Sequence, residues 1–168
     1  MSRKLNFQTV PLAQLALKGV TRQIDPPKPV VLVVDDETVI ADSLAAILRQ
    51  NGFAAIAAYD GRSALEISRV DPPDLLLSDV AMPGMSGVDL AIAISQATPG
   101  CKVILFSGQA TTVDLLSTAR DAGHDFTTLA KPLHPTELLA RISETLASRA
   151  TKQESICAPW EPTHETSM

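Results

Sequence analysis

Cysteine is scarce: Cys101 and Cys157 are the two in 168 residues, far apart and without metal-ligand spacing around them. A disulfide framework needs more cysteine in a chain of this size, so a reducing cytoplasm is the expected compartment. Aromatic residues make up only 4%, and the core must therefore be mostly aliphatic side chains and alanine. No apolar run approaches the roughly 20 residues needed to cross a bilayer. Arg3 and Lys4 resemble the charged start of a signal peptide, but the apolar stretch from Val10 to Leu17 is short and broken by Pro11 and Gln14. Neither export nor a membrane role is expected.

What is present is ordinary for one globular domain: 45% hydrophobic and 20% charged residues, in a chain with room for about one proper core. The net charge of −5 is unevenly spread, because residues 1–28 carry five Lys or Arg against one Asp, leaving −9 for the remainder. Five dispersed cations are a weak electrostatic footprint, so a solvated arm is read here and no direct DNA binding is expected. Leu12, Leu15 and Ala16 fall at helical spacing and would suit a docking segment, although an unstructured arm is the plainer reading. Pro26, Pro27, Lys28 and Pro29 form a stiff linker, since proline lacks the N–H and fixes φ. After Arg149 the chain turns polar, with Pro159 and Pro162. The expected division is a basic extension over residues 1–28, a domain over 29–149 and a flexible tail over 150–168, too short for an output domain.

Within the domain, apolar runs alternate with helical patterns. Val30 to Val34, Ala54 to Tyr59, Leu75 to Ser78, Val103 to Ser107 and Thr127 to Ala130 read as five strands. Val39, Ile40, Leu44, Ile47 and Leu48, then Ala64, Leu65 and Ile67, then Val88 to Ile94, Val113 to Ala119 and Leu138 to Leu146 read as five helices. Strict alternation, with strands of continuous Val, Ile and Leu, predicts an α/β doubly wound parallel sheet covered on both faces.

In such a sheet ligands bind beyond the carboxyl ends of the strands. Asp35 and Asp36 end the first strand, Asp79 the third and Ser107 the fourth, and Lys131 with Pro132 follows the fifth. All would meet at one edge. Paired carboxylates 4 Å apart repel by about 4 kcal/mol at an effective dielectric of 20, so the cluster needs a cation. An all-oxygen donor set suggests Mg²⁺, which is commonly held by one or two carboxylates and a phosphate. Asp can also attack phosphorus to give an aspartyl phosphate, with Lys131 and Ser107 supplying charge and a hydrogen bond to phosphoryl oxygens.

Each residue alone has a plainer explanation. Asp35 and Asp36 could cap the following helix, Asp79 could open the turn at Met82, Pro83 and Gly84, Ser107 could be loop chemistry, and Lys131 a solvated cation. Their convergence is what favours a site.

The strand ending in Asp35, Asp36 and Glu37, the turn from Asp79 through Val80, Ala81, Met82, Pro83 and Gly84 with Gly87 after it, and Lys131 with Pro132 resemble a response regulator receiver domain over about residues 29–149. The resemblance implies a flavodoxin-like (βα)5 fold of strand order 2-1-3-4-5, an order for which the chemotaxis receiver is a standard example. It also implies roles. Asp79 would be the phosphoacceptor, Asp36 a direct Mg²⁺ ligand, Asp35 a ligand through water, and the Ala81 backbone carbonyl a third protein ligand. The phosphoryl donor would be a sensor histidine kinase or phosphotransfer protein. The response would be a rearranged face of the fourth helix, fifth strand and fifth helix that regulates a downstream protein, with a homodimer as one option. The chain would catalyse only its own phosphorylation and dephosphorylation. A haloacid-dehalogenase-like phosphatase is the runner-up, but it places two Asp residues two apart on the first strand, whereas Asp35 and Asp36 are adjacent. A receiver-shaped module that no longer uses phosphate is a third reading.

Two departures from the family pattern stand out. Thr128 occupies the place of the usual aromatic switch residue, and Phe126 is the nearest aromatic, so either could serve as the switch. Ala81, two residues after Asp79, offers no polar side chain to an attacking water, which leaves Gln109, two residues after Ser107, to orient it. Gln109→Ala is therefore expected to slow loss of the phosphoryl group. Intact mass followed over time checks this, and an unchanged decay rate would remove Gln109 from the reaction.

Overall fold

The computed structural model describes residues 27–108, 112–121, 123–132 and 134–153. Almost all of the expected basic extension, Gln109 and the chain beyond Gln153 lie outside the described residues. The elements run in strict alternation: β1 Val30–Val34, α1 Thr38–Gln50, β2 Ala54–Ala58, α2 Gly61–Val70, β3 Leu75–Asp79, α3 Gly87–Ala97, β4 Lys102–Ser107, α4 Thr112–Asp121, β5 Thr127–Ala130 and α5 Pro135–Gln153. The strands form one parallel sheet of order β2-β1-β3-β4-β5, so both the fold class and the strand order are as expected.

Side chains of a strand alternate between the two faces, and here the alternation separates two apolar clusters. Leu32, Val34, Leu76, Val103 and Leu105 meet Ala64 of α2, Val88, Ala91 and Ile94 of α3 and Ala119 of α4. Val31, Val33, Leu75, Leu77, Ile104, Phe106 and Leu129 meet Ala45 and Leu48 of α1 and Leu138 and Ile142 of α5. Each fully buried Leu, Ile or Phe contributes roughly 1.5–3 kcal/mol relative to exposure. β3, central and flanked by β1 and β4, is buried at all five positions.

The differences from expectation have local causes. Val39 is 74% exposed, because the buried face of α1 runs through Ala41, Ala45 and Leu48 and a residue two places away points to the opposite side of a helix. Tyr59 lies past β2, where its hydroxyl donates to Asp42 Oδ1 at 3.0 Å. The last helix continues to Gln153, four residues into the stretch expected to be tail. Asp60 caps α2 by accepting from the Ser63 N–H at 2.8 Å, and Ser86 caps α3 by accepting from the Asp89 N–H at 3.1 Å.

The turn from β3 to α3 decides where the site's loop lies. Gly84 adopts a positive φ of 80°, a region open to glycine, and the Gly87 N–H donates to the Val80 carbonyl at 3.0 Å. Gly87 is packed against β3 so closely that a Cβ there would run into the Asp79 carbonyl oxygen, with the Asp79 carbonyl carbon at 2.8 Å and Ser78 Oγ at 2.9 Å. Gly87→Ala is therefore expected to destabilise the fold by about 1–3 kcal/mol, the usual cost of overpacking. Denaturant unfolding measures it, and a wild-type midpoint would mean that the turn yields freely.

Candidate functional site

The register of the sheet assembles the site. Val34 pairs with Ser78, so Asp35 and Asp79 follow on neighbouring strands, which lie about 4.8 Å apart. Asp79 pairs with Phe106, and Phe106 with Leu129. The Lys131 N–H donates to the Ser107 carbonyl at 2.8 Å, extending the β4–β5 ladder one step and fixing Lys131 beside Ser107. The peptide bond from Lys131 to Pro132 is cis.

Asp35, Asp36 and Asp79 each bring a carboxylate oxygen to within 4.8 Å of the others. Asp35 is wholly buried and Asp79 nearly so, while Asp36 is exposed. Lys131 Nζ lies 3.3 Å from Asp35 Oδ2 and 3.3 Å from Asp79 Oδ1. Backbone donors share the load: the Glu37 N–H donates to Asp35 Oδ1 at 2.9 Å, and the Val80 N–H to Asp79 Oδ1 at 2.9 Å. Helix capping does not account for Asp35 or Asp36, because the residue at the N-cap of α1 is Glu37, which makes no side-chain cap bond.

Burial pushes the Asp79 carboxyl above its usual range; the Lys131 ammonium opposes this, and the Asp35 charge adds to it. Three carboxylates facing one ammonium leave an excess of negative charge among hard oxygen donors, and that donor set fits a divalent cation such as Mg²⁺. Ala81 stands exposed in the loop directly after Val80, and Ser107 is half-buried at the end of β4.

The structure thus brings together Asp35, Asp36, Asp79 and Lys131, with Ser107 and Ala81 adjacent. Gln109 lies outside the described residues. Thr128 is exposed on β5, whereas Phe126 is half-buried before it, packed on the α3-side cluster and stacked with His124 at 5.7 Å between ring centroids. Two contacts escaped the sequence reading. The buried Ser78 hydroxyl donates to the Asp79 carbonyl at 2.9 Å, and Lys131 Nζ stands 4.7 Å over the centre of the Phe106 ring. Ser78 gave no signal, being one polar residue in an apolar strand. Phe106 gave none either, since its pairing with Asp79 exists only in the folded ladder.

A doubly wound sheet with an acidic cluster and a lysine at its carboxyl edge defines a class of cation-binding α/β proteins. Within it, the family model of the response regulator receiver domain matches residues 31–143, and the chain belongs to that family. It is similar to the DNA-binding response regulator MtrA of Mycobacterium tuberculosis, 35% identical over 112 residues, covering 67% of this chain and 48% of that protein. It is likewise similar to the transcriptional regulatory protein CseB of Streptomyces coelicolor, 37% identical over 116 residues, covering 69% of this chain and 48% of that protein. Among solved structures, a CheY-like receiver domain from Methanospirillum hungatei superposes with a TM-score of 0.69 at 29% identity, over 75% of this chain and 99% of that one. The chain is thus a receiver of two-component response regulators, a signalling switch rather than a conventional enzyme.

The expectation of no DNA contact is corrected by these relatives, one of which is a DNA-binding regulator by name. The chain spans about half the length of the curated relatives it matches. Counting cations over its 168 residues could not register a function assigned to longer proteins, of which the matched segment is about half. Of the described helices, none is long and apolar enough to cross a membrane.

The raised Asp79 group generates a stability prediction. Its folded state holds a proton more readily than the unfolded chain, so this group lowers stability at neutral pH, and the loss fades as pH falls from its raised value toward the ordinary 3.8. Asp79→Asn is expected to raise the unfolding midpoint at pH 7, with the advantage shrinking in acid. Thermal unfolding against pH checks it; a variant less stable than wild type at pH 7 would show that the Lys131 pairing outweighs burial.

Proposed function

We propose that Asp79 accepts a phosphoryl group in an Mg²⁺-dependent reaction, and that the phosphorylated receiver presents an altered α4–β5–α5 face to a partner. The observation that carries this reading is the meeting of three carboxylate oxygens within 4.8 Å, with one ammonium 3.3 Å from two of them. Asp36 and Asp79, with the Ala81 carbonyl, would hold the metal directly, and Asp35 through water. When bound, Mg²⁺ would neutralise charge on the cluster and on the phosphoryl oxygens.

The chain's own residues do the remainder. An Asp79 carboxylate oxygen forms the bond to phosphorus as the donor's P–N bond breaks, the electron pair leaving on an imidazole nitrogen that takes up a proton. Lys131, already between Asp35 and Asp79, pairs with a phosphoryl oxygen as a mobile point charge. Ser107 offers its hydroxyl to another, and that contact biases the two-state surface. The donor is a sensor histidine kinase or phosphotransfer protein working in the cytoplasm. The names of MtrA and CseB point to transcription as the process served, with DNA among the molecules contacted.

Incubation with acetyl phosphate and Mg²⁺, followed by intact mass, is expected to add one phosphoryl group to the wild type and none to Asp79→Asn. The gain should vanish on chelation of the metal and in Asp36→Asn. No gain in the wild type, with beryllofluoride also failing to perturb the protein, would mean a receiver fold working without phosphate.

A further inference from the structure

We propose that Phe106 is a positioning residue for Lys131, its ring face holding the ammonium above the acidic cluster through a cation–π contact. The inference rests on Asp79 as phosphoacceptor and names a further residue serving that site.

The sheet register brings the two residues to one face. Asp79 and Phe106 are ladder partners, and Phe106 and Leu129 are partners in turn, so these positions share one face. Lys131, two residues beyond Leu129, returns to the same face. Its Nζ stands 4.7 Å from the ring centroid, inside the roughly 6 Å within which a ring quadrupole attracts a cation. Phe106 is wholly buried and the Lys131 side chain is 26% exposed, so little water competes for the ring face.

Phe106 is also a core residue, packed in the α1 and α5 cluster. A Leu could serve that role, since cores tolerate aliphatic swaps of similar volume. A Leu cannot offer a π face. Among the described residues the ammonium meets Asp35, Asp79 and the ring. Both carboxylates belong to the cation-binding set, and charge they direct to a divalent ion is charge withdrawn from Lys131. The ring belongs to no such set, so its hold on the ammonium persists when theirs weakens. Lys131 is then kept over the site, free to turn toward a phosphoryl oxygen.

The test places fluorinated phenylalanines at position 106 of the full chain, with one, two and three ring fluorines, alongside Phe106→Leu. Fluorination lowers the quadrupole while nearly keeping ring size, so unfolding midpoints should stay at the wild-type value. The rate of phosphoryl gain from acetyl phosphate at saturating Mg²⁺ is expected to fall stepwise with fluorine number, by roughly two- to fivefold over the series. In the unphosphorylated protein, the Lys131 ε-methylene proton resonance, assigned by its loss in Lys131→Arg, should be displaced upfield by the ring and return in Phe106→Leu. A flat rate across the series, or an undisplaced resonance in the wild type, overturns the proposal. Failure of the wild type to take any phosphoryl group would instead overturn the role of Asp79, and the resonance would still decide the Lys131–Phe106 pairing.

Discussion

Three carboxylates held at one edge of a buried sheet set the terms for the rest of this protein. Two unit charges 4 Å apart repel by about 4 kcal/mol at an effective dielectric of 20, and a collapsed chain would separate them if it could. It cannot, because Val34 and Ser78 are ladder partners deep in a packed sheet. Shifting either strand by one residue would send each side chain to the opposite face, breaking the packing of Leu75, Leu77, Val31 and Val33 in one cluster and of Leu32, Val34 and Leu76 in the other. The apolar core thus enforces an electrostatic arrangement that is unfavourable by itself.

The partial remedies are all local. Backbone N–H groups of Glu37 and Val80 satisfy one oxygen each on Asp35 and Asp79, and Lys131 lies between the two side chains. Together they fall short, since the Asp79 carboxyl is still pushed above its ordinary range with burial as the leading cause. A site left with excess negative charge favours incoming cations, and a cation placed there favours an incoming phosphoryl group. Strain against the folded state and readiness to bind arise from the same uncompensated charge.

Much of this was legible in the chain because the two periodicities of helix and strand are strong where the sheet is buried on both sides. Leu75, Leu76 and Leu77 cannot be amphipathic in a one-faced sheet, and they read at once as a strand of a parallel sheet covered on both faces. The site residues were legible because each is a polar residue that ends an apolar run. What stayed hidden depends on register or on helix phase, which no single run encodes. Val39 looked like a core residue until the phase of α1 was set by Ala41, Ala45 and Leu48. The Phe106–Lys131 contact needed the pairing of β4 with both β3 and β5. The DNA binding named for a relative such as MtrA could not be anticipated, because charge counts over one receiver say nothing of the longer proteins in which receivers occur.

The same parity argument constrains how the site reaches the rest of the molecule. Ser107 pairs with Ala130 and Leu105 with Thr128, so Ser107, Ala130, Thr128 and Phe126 fall on the face that carries α2, α3 and α4, opposite the face of Asp79, Phe106 and Lys131. Phe126 lies four residues below Ala130, about 13 Å at about 3.3 Å per residue, which is too far for its ring to fill space left by a moving Ser107 hydroxyl. Thr128 is closer, but it is exposed and has no ring to move. The elements common to both ends are the helices packed on that face: Leu116 and Ala119 of α4 and the Phe126 ring share one apolar cluster with Leu105, which stands two residues before Ser107 on the same face of β4. Ser107 and Phe126 are thus related through the body of that cluster and not by adjacency.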